Sequence, residues 1–408
     1  MDNLAVSDPG MVDGMMTPIA KRQSEAYSVI ANSQDEVFLT SLYDWYLAQG
    51  WSDRLLRIQS PFVVTYLKRK SVDDIAHADL LWRYYAQYER FFEAAEVQLQ
   101  LAQSAFVLPL SRRIEYLGRA RANASIFTPD VGRQSRQRLL QEISELLDVA
   151  NVQDDLLQRL KDDSRIAPDR KAEVLDEVDG PVMDLSSVCI PLHLLSKTTA
   201  DSNPQIYNNY SAPGSYFDIC LQIFFLANHT NTADINETWK HLIDDVHKKT
   251  EVRGSPQPYE AVIEQLRSLG SRLRSSDVVF PVQVLIPLLE TYSLQHQRQA
   301  ALNHWIVDLF LDLDVPHQTI FGVLEAMYYT ESVPFTGANR RFIANDMIYL
   351  LEIWFYETSR VGGLLFGSSQ VVEQVTETLD LLQQGPETTP EVRERTADLR
   401  RRIVELLG

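Results

Sequence analysis

The stretch Leu80-Leu81-Trp82-Arg83-Tyr84-Tyr85 decides the fold, because it belongs to a run of apolar residues with the helical period. The apolar positions of this run are Val72, Ile75, Ala76, Leu80 and Tyr84. After a break near Glu89-Arg90 the same period resumes at Phe92, Ala95, Leu99, Ala102 and Phe106. Small residues let a second helix approach closely, and they occur at Ala94, Ala95, Ala102 and Ala105. The pattern predicts two amphipathic helices packed back to back, which is the repeating unit of a helical solenoid.

Helical periods separated by short polar or prolyl turns continue along most of the chain. We expect further helices over residues 34–49, 52–58, 61–69, 110–124, 132–165, 216–228, 233–250, 258–273, 279–292, 300–313, 316–330, 338–359 and 368–407, the last broken near 385–386. Ser52 and Ser60 stand where N-caps are expected, and Pro61 stands at a first helical position. No alternating apolar run of useful length is present. The sequence predicts an all-α fold, an elongated irregular α-helical solenoid of stacked helix pairs over residues 26–408.

Two segments interrupt this pattern. Residues 1–25 are polar and aperiodic, with Pro9, Gly10, Gly14 and Pro18, which predicts a flexible N-terminal segment. Residues 180–215 contain Gly180-Pro181, Pro191 and further turn signals, which predicts a hinge loop. Within that loop, residues 185–195 have the composition of a short docking helix.

Composition limits the function classes. Of the 408 residues, 45% are apolar and 23% charged, as in a folded protein. The 56 acidic and 38 basic residues give a formal net charge of −18, which disfavours nucleic acid and anionic lipid as partners. The only cysteines are Cys189 and Cys220, so we expect buried thiols in a reduced intracellular protein. Neither a signal peptide nor a transmembrane segment is expected.

Several aromatic and arginine positions at fixed spacing carry a resemblance to a known family. They lie in Leu42-Tyr43-Asp44-Trp45-Tyr46, Asp53-Arg54-Leu55-Leu56, Ser60-Pro61-Phe62, Tyr66-Leu67, Leu80 to Tyr85, Arg113-Ile114-Glu115-Tyr116-Leu117, Phe280-Pro281 and Arg340-Arg341-Phe342. With these residues the chain resembles the C-terminal solenoid of the large inner-ring scaffold nucleoporins. The resemblance is most specific between residues 36 and 125.

This resemblance implies a structural scaffold in the inner ring of the nuclear pore complex, at the nuclear envelope of the nucleus, that supports nucleocytoplasmic transport. It implies that the N-terminal β-propeller of the family is absent here. The implied partners are other inner-ring nucleoporins and short linear segments of linker nucleoporins, including the N-terminal part of the self-cleaving phenylalanine-glycine nucleoporin. It implies no enzyme activity, no cofactor and no small-molecule substrate.

Motifs for chemistry are scarce. The sequence has no P-loop, no nucleophile elbow and no His-Glu-x-x-His motif. Residues 362–367 are glycine-rich, but no strand precedes them, so a helix-helix turn is expected. His241, Asp245 and His247 share one expected helix, yet Lys248 and Lys249 favour a solvated surface over a metal site. We therefore expect no catalytic residues and no metal. The alternatives are a helical adaptor of another transport or vesicle-coat assembly and, more distantly, a hydrolase with a dispersed site.

An arginine group stands out in this acidic chain. Its members are Arg112, Arg113, Arg119, Arg121, Arg133, Arg136 and Arg138, opposed in that stretch only by Glu115 and Asp130. One interpretation is a docking patch for an acidic partner or nucleic acid. The other, which we favour, is internal pairing with the long helix that follows, where twelve acidic residues stand against five basic ones between 142 and 179.

The expected helix 338–359 carries apolar residues around nearly its whole circumference. Either its neighbours cover it on every side, or part of it lines a groove for an extended peptide. In the second case the candidate peptide-binding residues are Tyr328, Tyr329, Phe335, Ile348, Leu351 and Phe355.

Overall fold

The computed structural model describes residues 11–12, 15–31, 33–129, 131–183, 214–254, 257–296, 304–330, 333–361, 364–385 and 388–407. The chain divides into two compact units, Met1–Met183 and Asp184–Gly408. This boundary falls inside the segment 180–215 for which a hinge is predicted. Residues 184–213, with the expected docking helix 185–195 and Cys189, lie outside the described residues, so the hinge stays a prediction.

The first unit begins with a short antiparallel pair of two-residue strands, β1 Met11–Val12 and β2 Met15–Met16. Its described residues then form the helices α1 Pro18–Ala31, α2 Glu36–Ala48, α3 Ser52–Leu56, α4 Pro61–Lys70, α5 Ile75–Gln87, α6 Phe91–Gln103, α7 Leu110–Ser125, α8 Arg133–Asp162 and α9 Pro168–Val178. Helix α1 starts inside the segment 1–25, to which the sequence assigns no element. None of its described side chains is buried.

Side-chain caps explain several helix starts of the first unit. The Asp35 carboxylate accepts from the backbone N–H groups of Val37 and Phe38 at 3.0 and 3.2 Å. The Ser60 hydroxyl accepts from the Phe62 N–H at 3.3 Å, as predicted, with Pro61 in the first turn. Ser52 is not a cap, because Trp51 takes that position and Ser52 is the first helical residue.

The α5–α6 pair packs as the sequence predicts. Ala94, Ala95 and Ala102 are buried, which lets α6 lie close to its neighbours α5 and α7. Ala105 is an exception, since α6 ends before it and it is exposed. Tyr85 is 1% exposed and fills the space between the helices. Consecutive helices from α5 to α8 contact each other in order, which is the stacking expected of a solenoid.

The described residues of the second unit form the helices α10 Phe217–Leu226, α11 Thr232–Val252, α12 Pro258–Leu273, α13 Val282–Gln295, α14 Trp305–Asp312, α15 His317–Thr330, α16 Arg340–Val361, α17 Ser369–Gln384 and α18 Pro390–Leu407, with short 3-10 turns at Gly337–Asn339 and Leu365–Gly367. Its core is aromatic: Trp239 is fully buried and contacts Phe280, which contacts Phe310. The Trp239 indole N–H donates to the Val279 carbonyl at 2.8 Å, so this buried donor is satisfied.

The all-α prediction is confirmed. Among the described residues, no helix is both long and apolar enough to cross a membrane.

Candidate functional site

Three of the predicted peptide-binding residues lie in the core of the second unit. Ile348 and Leu351 on α16 have no exposed surface, and Phe355 is 8% exposed. Helix α16 contacts α15 on one side and α18 on another, which accounts for its apolar circumference. A partner reaches these three side chains only if a neighbouring helix moves away.

The other three predicted residues lie in different environments. Tyr328 is buried, and the Arg340 guanidinium lies 4.1 Å from the centroid of its ring. Tyr329 is 51% exposed. Phe335 is buried and lines a groove that the remaining predicted residues do not reach. The structure therefore does not bring the six residues together into one surface.

The groove lies between α13 and α15, and its volume is about 1030 Å³. The segment that carries Val333, Pro334 and Phe335 borders it. None of the described residues that line it is charged. Threonine, glutamine, proline and small apolar residues make up most of the lining, which is the chemistry of a site for a neutral segment.

Backbone features of α13 and α15 shape this groove. Pro287 lies inside α13 and has no N–H, so the Gln283 carbonyl one turn earlier lacks its usual helical donor. Both residues line the groove. On the opposite wall, Gly322 and Ala326 are exposed and one turn apart on α15, so small residues face the space. A Cβ added at Gly322 meets no atom within 4 Å. The groove thus has a small-residue wall and a backbone acceptor without its usual helical partner.

Sequence reasoning missed most of this groove, because neutral and small residues give no signal of their own. The usable signals were Pro287 inside a helical period and the one-turn spacing of Gly322 and Ala326.

A buried polar cluster lies elsewhere in the second unit, around a small cavity of about 20 Å³. Glu290 on α13 is 3% exposed, and its Oε1 has no hydrogen-bond partner. Burial, together with the charge of Asp346, raises the pKa of Glu290 well above its usual range. His304 Nδ1 lies 2.5 Å from the Asp346 carboxylate, and its ring stacks on Tyr349. The cavity has room for about one water molecule and no substrate, so we assign the cluster a structural role.

The histidines considered for a metal site separate in the structure. His247 is buried, and its Nδ1 lies 2.7 Å from the Tyr292 hydroxyl. His241 is exposed on α11 and stacks on Phe217. Within the described residues, no group of three or more His, Cys, Asp or Glu side chains is placed to hold a metal ion.

The arginine group also separates. Arg113 is 1% exposed and donates to the carbonyls of Ala102, Ser104 and Phe106 at 2.7 to 2.8 Å, so it binds the α6–α7 loop. Arg112 and Arg119 both pair with Glu115 at 2.5 Å. Internal pairing thus holds for part of the group, but the described ion pairs lie within α7 and between Arg112 and Asp79 of α5, at 3.7 Å. Burial raises the pKa of Asp148 on α8, and the charge of Arg121 lowers it in part.

Comparison with known proteins identifies the family. The family described as "Non-repetitive/WGA-negative nucleoporin C-terminal" matches residues 1–388. Nucleoporin NUP170 of Chaetomium thermophilum is 37% identical over 382 residues, which cover 88% of this chain and 26% of the relative. A probable nucleoporin of Schizosaccharomyces pombe, C890.06, is 34% identical over 341 residues, which cover 83% of this chain and 24% of the relative. The chain thus spans about a quarter of the length of these relatives.

A solved structure matches as well. The crystal structure of the Chaetomium thermophilum Nup170 CTD–Nup145N complex superposes with a TM-score of 0.87 at 36% identity. The match covers 99% of this chain and 77% of that one. Sequence and fold agree over nearly the whole chain, and the chain therefore belongs to the non-repetitive/WGA-negative nucleoporin C-terminal family.

Proposed function

We propose that this chain is a scaffold element of the inner ring of the nuclear pore complex and binds a short linear segment of a linker nucleoporin. The observation that carries the proposal is the match to a relative's domain whose structure was solved in complex with Nup145N. Other inner-ring nucleoporins are further proposed partners. Family membership favours this role over an adaptor of a vesicle coat.

The groove between α13 and α15 is the proposed docking site. An extended peptide has backbone N–H groups that need acceptors, and the Gln283 carbonyl beside Pro287 supplies one. The apolar part of the lining, with Val323, Met327 and Phe335, takes an aliphatic anchor of the peptide. Among the residues predicted from sequence, Phe335 belongs to this proposed site.

The proposed action is binding without catalysis. The described titratable side chains include a buried pair, Glu290 and Asp346, and ion pairs at the surface such as Arg112 with Glu115. We assign both kinds of pair to structure and not to catalysis. The relatives are nucleoporins by name. A scaffold role requires surfaces and no reacting group.

The experiment fills the groove with one large side chain, and circular dichroism checks that the fold is kept. Gly322→Trp places an indole in the groove, where there is open space beyond the Cβ position. Gly118 on α7 is a matched control, because it too is helical and exposed, and a Cβ there also meets no atom within 4 Å. Both substitutions therefore place a tryptophan at an exposed helical glycine, but only Gly322→Trp blocks the groove.

Calorimetry with the Nup145N segment of the solved complex measures the affinity. We expect Gly322→Trp to weaken binding by roughly tenfold or more, as for a blocked hot spot, and Gly118→Trp to leave it unchanged. Equal affinity of wild type and Gly322→Trp would exclude this groove. No binding by the wild-type chain would exclude the proposed partner.

A further inference from the structure

The turn between α7 and α8 in the first unit exposes two large apolar side chains. Phe127 is 72% exposed and Ile126 is 41% exposed. The Arg136 guanidinium lies 5.4 Å from the centroid of the Phe127 ring, and Arg133 is exposed one turn before Arg136. We call these four residues the α7–α8 turn patch.

The patch is positive in a strongly acidic chain. Between residues 116 and 141 the sequence holds five arginines and a single acid, Asp130, which lies outside the described residues. The first turn of α8 has no acidic residue and no side-chain cap among the described residues, so its own first turn does not offset the positive end of this 30-residue helix.

The ion pairs of the described residues leave out two of these arginines, Arg133 and Arg136. Among the residues that the structure describes, Arg133 and Arg136 form no ion pair, whereas Arg112 and Arg119 share Glu115. Arginine pairs readily with carboxylates wherever geometry allows. In a chain with a net charge of −18, two arginines without a described carboxylate partner beside an exposed phenylalanine form a surface complementary to an acidic ligand.

We infer that the α7–α8 turn patch is a docking surface for an acidic protein segment that carries an aromatic or aliphatic residue. The acids of such a segment pair with Arg133 and Arg136, and its apolar residue covers Phe127 and Ile126. A protein segment is favoured over a nucleic acid, because the net charge of −18 repels an extended polyanion while a short segment brings only a few charges. This proposal is independent of the groove, which lies in the other unit.

The test uses the whole chain and a fluorescein-labelled peptide of glutamate and aspartate around a central leucine–phenylalanine pair. A second peptide has glutamine and asparagine in place of the acids. A single-stranded RNA of equal charge is the third probe. Fluorescence anisotropy measures the affinity for each.

Phe127→Ser and Arg133→Glu are the patch variants, and both change exposed side chains. Their matched controls lie at the far ends of the same two elements. Val107→Ser removes an exposed valine just before the start of α7, about 24 Å from the patch by helix rise. Lys161→Glu makes the same charge change near the end of α8, about 42 Å from Arg133. Circular dichroism checks the fold of every variant.

We expect the acidic peptide to bind, the amide peptide to bind at least about tenfold more weakly, and each patch variant to lose about tenfold in affinity while both controls keep it. Absence of binding to the wild-type chain would overturn the proposal, as would equal losses in patch and control variants. Tighter binding of the RNA than of the acidic peptide would overturn it in favour of a nucleic-acid surface. Gly322→Trp should leave this binding unchanged, which separates this test from that of the groove.

Discussion

Replacing Arg113 should destabilise the first unit more than replacing any arginine of the same group that lies at the surface. Its guanidinium donates to the carbonyls of Ala102, Ser104 and Phe106 at 2.7 to 2.8 Å and to that of Leu108 at 3.4 Å. A hydrogen bond from a charged donor contributes about 1.5–3 kcal/mol net. The side chain thus replaces the secondary structure that the α6–α7 loop lacks.

The expected magnitude follows from the fate of each carbonyl. In Arg113→Met the Ala102 carbonyl belongs to a buried residue and stays unsatisfied, which alone costs about 1–3 kcal/mol. Ser104 and Phe106 are partly exposed, so water can donate hydrogen bonds to their carbonyls in place of the guanidinium. We therefore expect a decrease of about 3–5 kcal/mol in the free energy of unfolding. Arg113→Lys should recover less than half, because three donors on one nitrogen cannot span these carbonyls.

Hydrogen exchange measured by mass spectrometry in increasing urea localises the effect to the peptides of α6 and α7. Arg112→Met is the matched control. Arg112 is the preceding residue, is 37% exposed and pairs with Glu115, so its loss should cost less than about 1 kcal/mol. Similar losses of unfolding free energy in Arg113→Met and Arg112→Met, or faster hydrogen exchange in the second unit only, would refute the reasoning.

Two further predictions concern packing and pH. Tyr85→Ala should lower the free energy of unfolding of the first unit by about 3–5 kcal/mol. Trp82→Ala should lower it less, because the Trp82 indole is only partly buried beside Asp79. Urea denaturation measures both variants, and a larger loss of stability for Trp82→Ala would contradict this ranking. Glu290 has a raised pKa in the folded state, so its contribution to stability is full below its unfolded pKa and is lost as pH rises through the folded value. Glu290→Gln should therefore make the melting temperature fall less than in wild type between about pH 5 and about pH 8, and parallel curves for the two proteins would count against this assignment.

Local signals predicted most of the helices. The helix Pro258–Leu273 has the bounds read from its apolar period, and the Ser60 cap was visible because a serine precedes Pro61. Such features depend on neighbours within one turn, which the sequence displays directly. The predicted cap at Ser52 is wrong, because Ser52 is already the first residue of the helix and Trp51 stands at the cap position.

The candidate site was less predictable, since it depends on contacts between distant residues. The apolar circumference of α16 is equally consistent with a covered helix and with a groove, and only the arrangement of α15 and α18 decides. Arg113 resembles its neighbour Arg112 in sequence, yet the loop before it turns its side chain inward. The described residues that line the groove are neutral, so the sequence shows no charge pattern that points to it.

The described residues that line the groove are uncharged, and this affects how the chain responds to ionic strength. Salt screens interactions between charges over about 8 Å at physiological concentration, but it does not weaken apolar burial or neutral hydrogen bonds in the same way. A ligand held between α13 and α15 should therefore keep its affinity as salt rises, while one held by the arginines of the α7–α8 turn patch should be released. Within one chain, a change in electrolyte would then remove one kind of partner and leave the other in place.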